Sequence, residues 1–274
     1  VSDFFDYTKK IIPATETEFL VSTSGHSVAY TNFIGRTSGL DATHLNAYAG
    51  LLDGLTTDGL FNSDGTSSYL DVLHCLATQD STTALLNLVS SSFNAVLVGT
   101  PTFTADQGYS ATTNANRLTS YNAKTAGGFY TLNSASMGCW CFNTPTDGCA
   151  PLGMTNAATQ GEHLIPSLSG SCFMRVNDGP NTGGFVLANS AGFFLGNRDS
   201  ATTRQGYKNA VSIGSYGVAP SESLLNNDTF SLGYSQNQSS DMASTLSIVV
   251  FGGSLNSTLA GNLYSRFNTY MGAV

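Results

Sequence analysis

Apolar positions recur along this chain with two different periods. From residue 69 onward they fall in short runs separated by Gly, Asn, Asp and Ser. Several runs alternate: Cys172, Met174 and Val176 share one face of an extended chain, and Phe173 and Arg175 share the other. This pattern predicts strands over 69–77, 84–88, 94–98, 136–142, 164–167, 172–177, 184–188, 192–196, 204–208, 211–216, 229–234 and 246–251. Asn177-Asp178-Gly179 reads as a hairpin turn, because Asp-Gly tolerates positive φ; Lys208-Asn209-Ala210 reads as another, with Ala where Gly is usual. Many short strands with regular turn signals imply a mainly β fold, two stacked antiparallel sheets in a sandwich or jelly roll.

Two segments carry the helical period instead. Asp41 is placed to cap a helix whose apolar face is Leu45, Tyr48, Leu52 and Leu55; Gly50 and Gly54 weaken it, and Gly59 ends it. Near the C-terminus, Asn256 or Ser257 caps a second helix, and Leu259, Leu263, Phe267 and Tyr270 form a stripe that should dock on the sandwich. Residues 1–39 differ from the rest. Phe4, Phe5 and Tyr7 cluster beside Lys9 and Lys10, followed by Pro13, Glu16 and Glu18, and 19–21 and 28–34 read as strands around Ser24-Gly25. Two readings stand side by side: an attachment arm or docking segment, or a strand pair joining the main sheet. The expected division is an N-terminal segment, 1–39, and a sandwich domain with flanking helices, 40–274. No linker rich in Pro, Gly or charge interrupts 69–274.

Composition narrows the partners. Charged residues make up 10% of the chain, against about 25% in ordinary globular domains, so Ser, Thr, Asn and Gly supply most of the polar surface. A hydrophobic content of 41% argues against disorder. The formal charge of −8, with Lys and Arg scattered, argues against nucleic acid as a partner. No apolar run is long enough for membrane insertion, and no charged-then-apolar opening predicts a secretion signal. Five cysteines, at 75, 139, 141, 149 and 172, cannot all pair within one chain. Cys139 and Cys141 share one strand face with Trp140 on the other, and they read as small buried side chains before a redox or metal site. A Cys149–Cys172 bridge depends on geometry, and reduced thiols match assembly in a cytosol.

Catalytic chemistry is sparse. Glycoside hydrolysis needs two carboxylates about 5–9.5 Å apart, yet the only Glu residues are 16, 18, 162 and 222, and no sandwich strand carries two acids on one face. A pair from distant strands, such as Asp178 with Asp199, is the remaining route. There is no Gly-x-Ser-x-Gly elbow, no phosphate loop and no calcium loop; His26, His44, His74 and His163 lack metal-ligand spacing, His44 and His74 reading as solvated or packed. No cofactor is implied. Asn-x-Ser/Thr triplets at Asn227, Asn237 and Asn256 read as loop composition. Glycan contact needs an aromatic platform beside planar polar groups, and Trp140, Arg175, Asn177, Asn197 and Tyr207 lie on strands or near turns as candidate ligand-binding residues. The same aromatics also suit a core. Arg198 and Arg204 flank a loop and read as surface residues.

Four segments share a further pattern: Pro101-Thr-Phe-Thr-Ala-Asp-Gln-Gly-Tyr109, Asn122-Ala-Lys-Thr-Ala-Gly-Gly-Phe-Tyr-Thr-Leu-Asn133, the continuation to Trp140, and Phe251-Gly-Gly-Ser-Leu-Asn-Ser-Thr-Leu-Ala-Gly-Asn-Leu-Tyr264. In that order and spacing they resemble a family of bacteriophage and prophage virion proteins with a concanavalin A-like, laminin-G-type jelly roll. The resemblance spans about 40–270. It departs at 110–122, where relatives carry Gly-Asp-Gly and this chain keeps only Thr119-Ser-Tyr121. It implies a non-enzymatic virion structural protein (tail fibre, baseplate or head decoration), with other virion proteins as partners. A homo-oligomer, often trimeric in such particles, and a host-surface glycan contact are further expectations. A lectin-like receptor-binding module is the alternative and a polysaccharide-degrading enzyme the third reading. The resemblance transfers no catalytic residue.

Overall fold

The computed structural model describes residues 25–111, 117–119, 121–156, 160–178, 184–216, 231–232 and 244–274. Side chains that satisfy free backbone N–H groups set where its helices begin. Ser27 accepts from Tyr30 N–H to open α1 (Val28–Ile34). Asp41 accepts from His44 N–H to open α2 (Ala42–Thr57), as its sequence position predicts. Asn256 accepts from Leu259 N–H to open α5 (Ser257–Met271). The first of these corrects the strand expected over 28–34. Tyr30 and Phe33 fall on one side of a helix and are both buried, and the Phe33 ring meets Tyr48 of α2 at 4.7 Å. Apolar burial against α2 thus overrides the β-favouring composition of that segment. The aromatic cluster at 4–7, Glu16, Glu18 and the strand expected at 19–21 lie outside the described residues.

The strands form two antiparallel sheets. Sheet I contains β1 (Leu70–Cys75), β3 (Thr102–Thr104), β4 (Gly108–Ser110), β6 (Ala135–Cys141), β11 (Gly192–Arg198), β12 (Arg204–Lys208), β13 (Val211–Tyr216) and β15 (Leu246–Gly252). Its order is β13-β12-β11-β6-β15-β4-β3, with β1 also paired to β15. Sheet II contains β2 (Val96–Val98), β5 (Arg117–Thr119), β7 (Leu152–Asn156), β8 (Gln160–Leu168), β9 (Ser171–Arg175), β10 (Phe185–Val186) and β14 (Ser231–Leu232), in the order β10-β9-β8-β7-β14-β5-β2. Short helices α3 (Ser81–Ala84) and α4 (Ala123–Ala126) sit in the connections. The segment 84–88, expected as a strand, instead leaves α3 as a turn. There the buried Asn87 amide accepts from Leu73 N–H and donates to Asp71 O, standing in for a strand neighbour of β1.

Alternation assigns the two faces of sheet I. Met137, Cys139, Cys141, Phe194, Val249 and Phe251 point toward sheet II and meet Leu152, Leu164, Cys172, Met174 and Val176. Leu73, Phe193, Leu195, Ile248 and Val250 point the other way, onto α1, α2 and α5, where Leu263, Phe267 and Tyr270 supply the docking stripe expected of the C-terminal helix. The fold is therefore a mainly β antiparallel sandwich with a helical layer over one sheet. Every cysteine is buried, and Cys172 is a free thiol, so the Cys149–Cys172 bridge is not formed. The Cys139 and Cys141 sulfurs lie 3.9 Å apart on the inner face of β6.

Candidate functional site

The five residues proposed from sequence as a glycan platform do not share a face. Trp140 stands on the helix side of β6, its ring stacked on Tyr264 of α5 at 6.0 Å and 8°. Tyr207 is buried on the same side and donates its hydroxyl to Gln205 Oε1 (2.6 Å). Asn197 is buried too, and its Oδ1 accepts Leu255 N–H (2.7 Å) at the approach to α5. Arg175 lies on the outer face of β9, over the Phe173 ring at 5.7 Å. Asn177 is buried between the sheets. Because both faces of sheet I are covered, its aromatics pack a core where a solvated sheet would display them.

Between the sheets lies a polar network that sequence reading placed at the surface. Asn177 adopts φ +52°, and its amide turns inward to donate to Thr131 O and Leu132 O, both at 3.0 Å. The Tyr130 hydroxyl shares its proton between Asn177 Oδ1 (3.2 Å) and Glu162 Oε2 (3.3 Å). Asp178 pairs with Arg204, Oδ2 to Nε 2.6 Å, and Arg204 also donates to Met174 O (2.8 Å) beneath the rings of Phe185 and Tyr216. Arg198 donates to Val176 O (2.5 Å). Both arginines are fully buried, which corrects their assignment as loop-flanking surface residues. Burial lowers both guanidinium pKa values, and Asp178 pulls each back toward the usual range. Burial and the neighbouring Glu162 push the Tyr130 hydroxyl well up, so it stays a donor. The signal for the arginines was available: Arg198 is in phase with the inward Phe194, and Arg204 with the inward Lys208 and Phe185-facing Gly206.

These placements decide what the carboxylates can do. Glu162 is 2% exposed and Asp178 1% exposed, so neither fronts a groove that would admit a polymer; Asp199, the other acid considered, is exposed. A fourth carboxylate, Asp71, is committed to structure. Its Oδ1 accepts Phe129 N–H (2.7 Å), and its Oδ2 accepts Tyr130 N–H and the Tyr121 hydroxyl (both 2.8 Å). Gly128 is required beside it, since any Cβ there would run into the Asp71 carboxylate. His44 bridges two acids, Nδ1 to Asp41 Oδ1 and Nε2 to Asp106 Oδ1, each at 2.8 Å. Among the described residues no cluster of His, Cys, Asp or Glu has the make-up of a metal site, and no helix is long and apolar enough to cross a membrane.

Open concavities lie on the helical side. One, of about 370 Å³, is enclosed by α1, the turn at 64–66 and the loop at 88–91. Its wall carries Asn32 and Arg36, its rim Asp64, Thr66 and Ser91, and its floor Ala29, Leu88 and Val89. Another, of about 320 Å³, lies between α2 and α5, beside Asn46, Gly50 and Thr269. Neither was marked by any motif, because each is assembled from ordinary residues of separate segments.

No family model and no curated protein matches the chain. Solved structures are similar in fold. The sialidase of Trypanosoma rangeli in complex with sialic acid matches with a TM-score of 0.51 at 11% identity, over 83% of this chain and 38% of that one. Domain 4 of AbnA, a GH43 extracellular arabinanase from Geobacillus stearothermophilus, in complex with arabinotriose, gives a TM-score of 0.47 at 14% identity, over 71% of this chain and 97% of that one. The binding domain of Paraclostridial Mosquitocidal Protein 1 gives 0.49 at 9% identity, over 73% and 52%. The chain thus spans about two fifths of the sialidase, and that likeness is one of fold.

Proposed function

We propose that this chain is a non-enzymatic bacteriophage virion component, from a tail fibre, baseplate or head decoration, whose sandwich mediates particle assembly and contact with a host-surface glycan. One observation supports the reading: residues of the segments that resemble virion proteins make fastening contacts in the scaffold and form no open reactive cluster. Tyr121, Gly128 and Tyr130 enclose Asp71, the Tyr109 hydroxyl donates to Ser81 O (3.2 Å), and Asn256 caps α5. On this reading, what the resemblance carries is architecture and not a reactive centre. The sealed positions of Glu162 and Asp178 support binding over bond cleavage in the sandwich interior. A low-charge surface of hydroxyl and amide groups suits both subunit packing and sugar contact, and a homo-oligomer is the expected assembly.

The test is whether the chain is part of a particle. Immunogold labelling and mass spectrometry of purified virions should find it there, and deleting it should reduce adsorption to host cells. Its consistent absence from particles would refute the virion role. Reducing-end release from host polysaccharide by the purified chain would refute the non-enzymatic assignment.

A further inference from the structure

The cleft beside α1 combines an apolar floor, of which Val89 is part-exposed, with a polar rim that includes the exposed Asp64 and Asn32. Its volume of about 370 Å³ sits at the small end of ligand sites, about 300–1,000 Å³, which suits a single ring and not a peptide. Asp64 is fixed at the mouth, because its Oδ1 accepts both Thr66 N–H (2.9 Å) and Thr66 Oγ1–H (2.6 Å). Those hydrogen bonds also hold its carboxyl below the usual range, so it remains an ionised acceptor near neutrality. Across from it stands the exposed Asn32 amide, a planar group with donors and an acceptor.

Two features keep the space open. Gly65 adopts φ +82° and presses its backbone against α1; a Cβ there would lie 2.9 Å from Val28 Cγ1 and 3.1 Å from Asn32 Nδ2, displacing the amide from the cleft. Arg36 braces the wall by donating to Asn32 O (3.3 Å), Ser90 O (2.8 Å) and Asn87 O (2.7 Å). With its donors turned onto carbonyls and Asp64 nearby, the cleft does not present an anion site. A neutral ligand with one apolar face and adjacent hydroxyls fits these constraints.

We infer that this cleft is a subsite for a neutral pyranose, its ring face on Val89 and its vicinal hydroxyls shared by Asp64 and Asn32. The inference rests on the glycan-contact reading and supplies its location. Saturation-transfer NMR of the full chain with free glucose, galactose, mannose and N-acetylglucosamine tests it. At least one sugar should give transfer from the wild type and from Asn46→Ala, in the other cleft. Affinity should fall about 10-fold or more in Asp64→Ala, some 1.4 kcal/mol, and transfer should vanish in Ser91→Trp, with melting unchanged in both. Transfer that survives both cleft variants, or no transfer from any of the four sugars, overturns the inference. Host-cell glycan binding retained by Ser91→Trp would sink the cleft alone, whereas no glycan binding by the wild type would sink the glycan-contact reading with it.

Discussion

Asp71 offers the sharpest test of how the sandwich is held. Its two oxygens receive three donors from the 121–130 segment, two of them backbone N–H groups; the bonds from Tyr121 and Tyr130 are buried and the one from Phe129 is part-buried. In Asp71→Ala both N–H groups lose their acceptor. The buried Tyr130 N–H left unsatisfied costs about 1–3 kcal/mol, and the part-buried Phe129 N–H and the Tyr121 hydroxyl add about 1 kcal/mol each, so the variant should lose roughly 3–5 kcal/mol. That is a large part of an ordinary domain's total of about 5–15 kcal/mol. Asp71→Asn retains the shape, but its amide nitrogen must face one donor, so about 2 kcal/mol should be lost. Tyr121→Phe removes one bond and should cost about 1 kcal/mol. Urea unfolding followed by tryptophan fluorescence and circular dichroism gives the three values, and a double-mutant cycle of Tyr121→Phe with Asp71→Asn should show coupling. If Asp71→Ala lies within about 1 kcal/mol of the wild type, the reasoning that this carboxylate fastens the loop to β1 is wrong.

Four further outcomes follow from the geometry. Asp178→Ala strands the buried Arg204 guanidinium and should cost about 3–5 kcal/mol in urea unfolding, while Glu162→Gln, which keeps the shape, should cost far less; both should match the wild type at background in a reducing-end assay. Ala210→Gly should raise stability by about 1 kcal/mol, because Ala210 sits at φ +66° in the β12–β13 turn, and an unchanged or lower melting temperature would count against strain there. Burial alone would lower the His44 pKa, but the hydrogen bonds and charges of Asp41 and Asp106 outweigh it and raise the value; its contribution is then full below about pH 6.5 and lost as pH rises through the folded value, so the gap between wild type and His44→Gln should shrink over that rise. His74 and His163 act with the opposite sign, since burial lowers them to about 4 and about 3, and their contribution is lost as pH falls. Trp140→Ala should cost about 2–3 kcal/mol by unseating α5, and unchanged melting would show that its stack on Tyr264 holds nothing.

Legibility followed the local signals that each element carries. The strands at 204–208 and 211–216 were readable from the turn signal at 208–210 that joins them, and the C-terminal helix from its cap and its apolar stripe. β15 was readable as an apolar run, since it is covered on both faces. The short β3, β4, β5 and β7 were missed, for a few residues contain too little alternation to register. The candidate site was less legible. Asn177-Asp178-Gly179 has the composition of an exposed turn, and composition is silent on whether Asn177 and Asp178 point outward or into the core. Trp140, Asn197 and Tyr207 misled because alternation on a doubly covered sheet marks which face a residue takes, not whether that face is wet. The cleft beside α1 depends on three segments meeting in space, and no local pattern encodes such a meeting.

The pairing of β15 sets the order in which this molecule can be made. Leu70–Cys75 lies early in the chain, yet its partner is Leu246–Gly252, which also pairs with β6 and, at Leu246, with β4. Until residue 252 has left the ribosome, three strands of sheet I wait with open edges and exposed apolar faces. Such distant closure is slow and leaves nascent chains prone to clumping. A cell making many copies of this polypeptide at once would therefore need chaperones to shield the segment 70–141 while translation finishes.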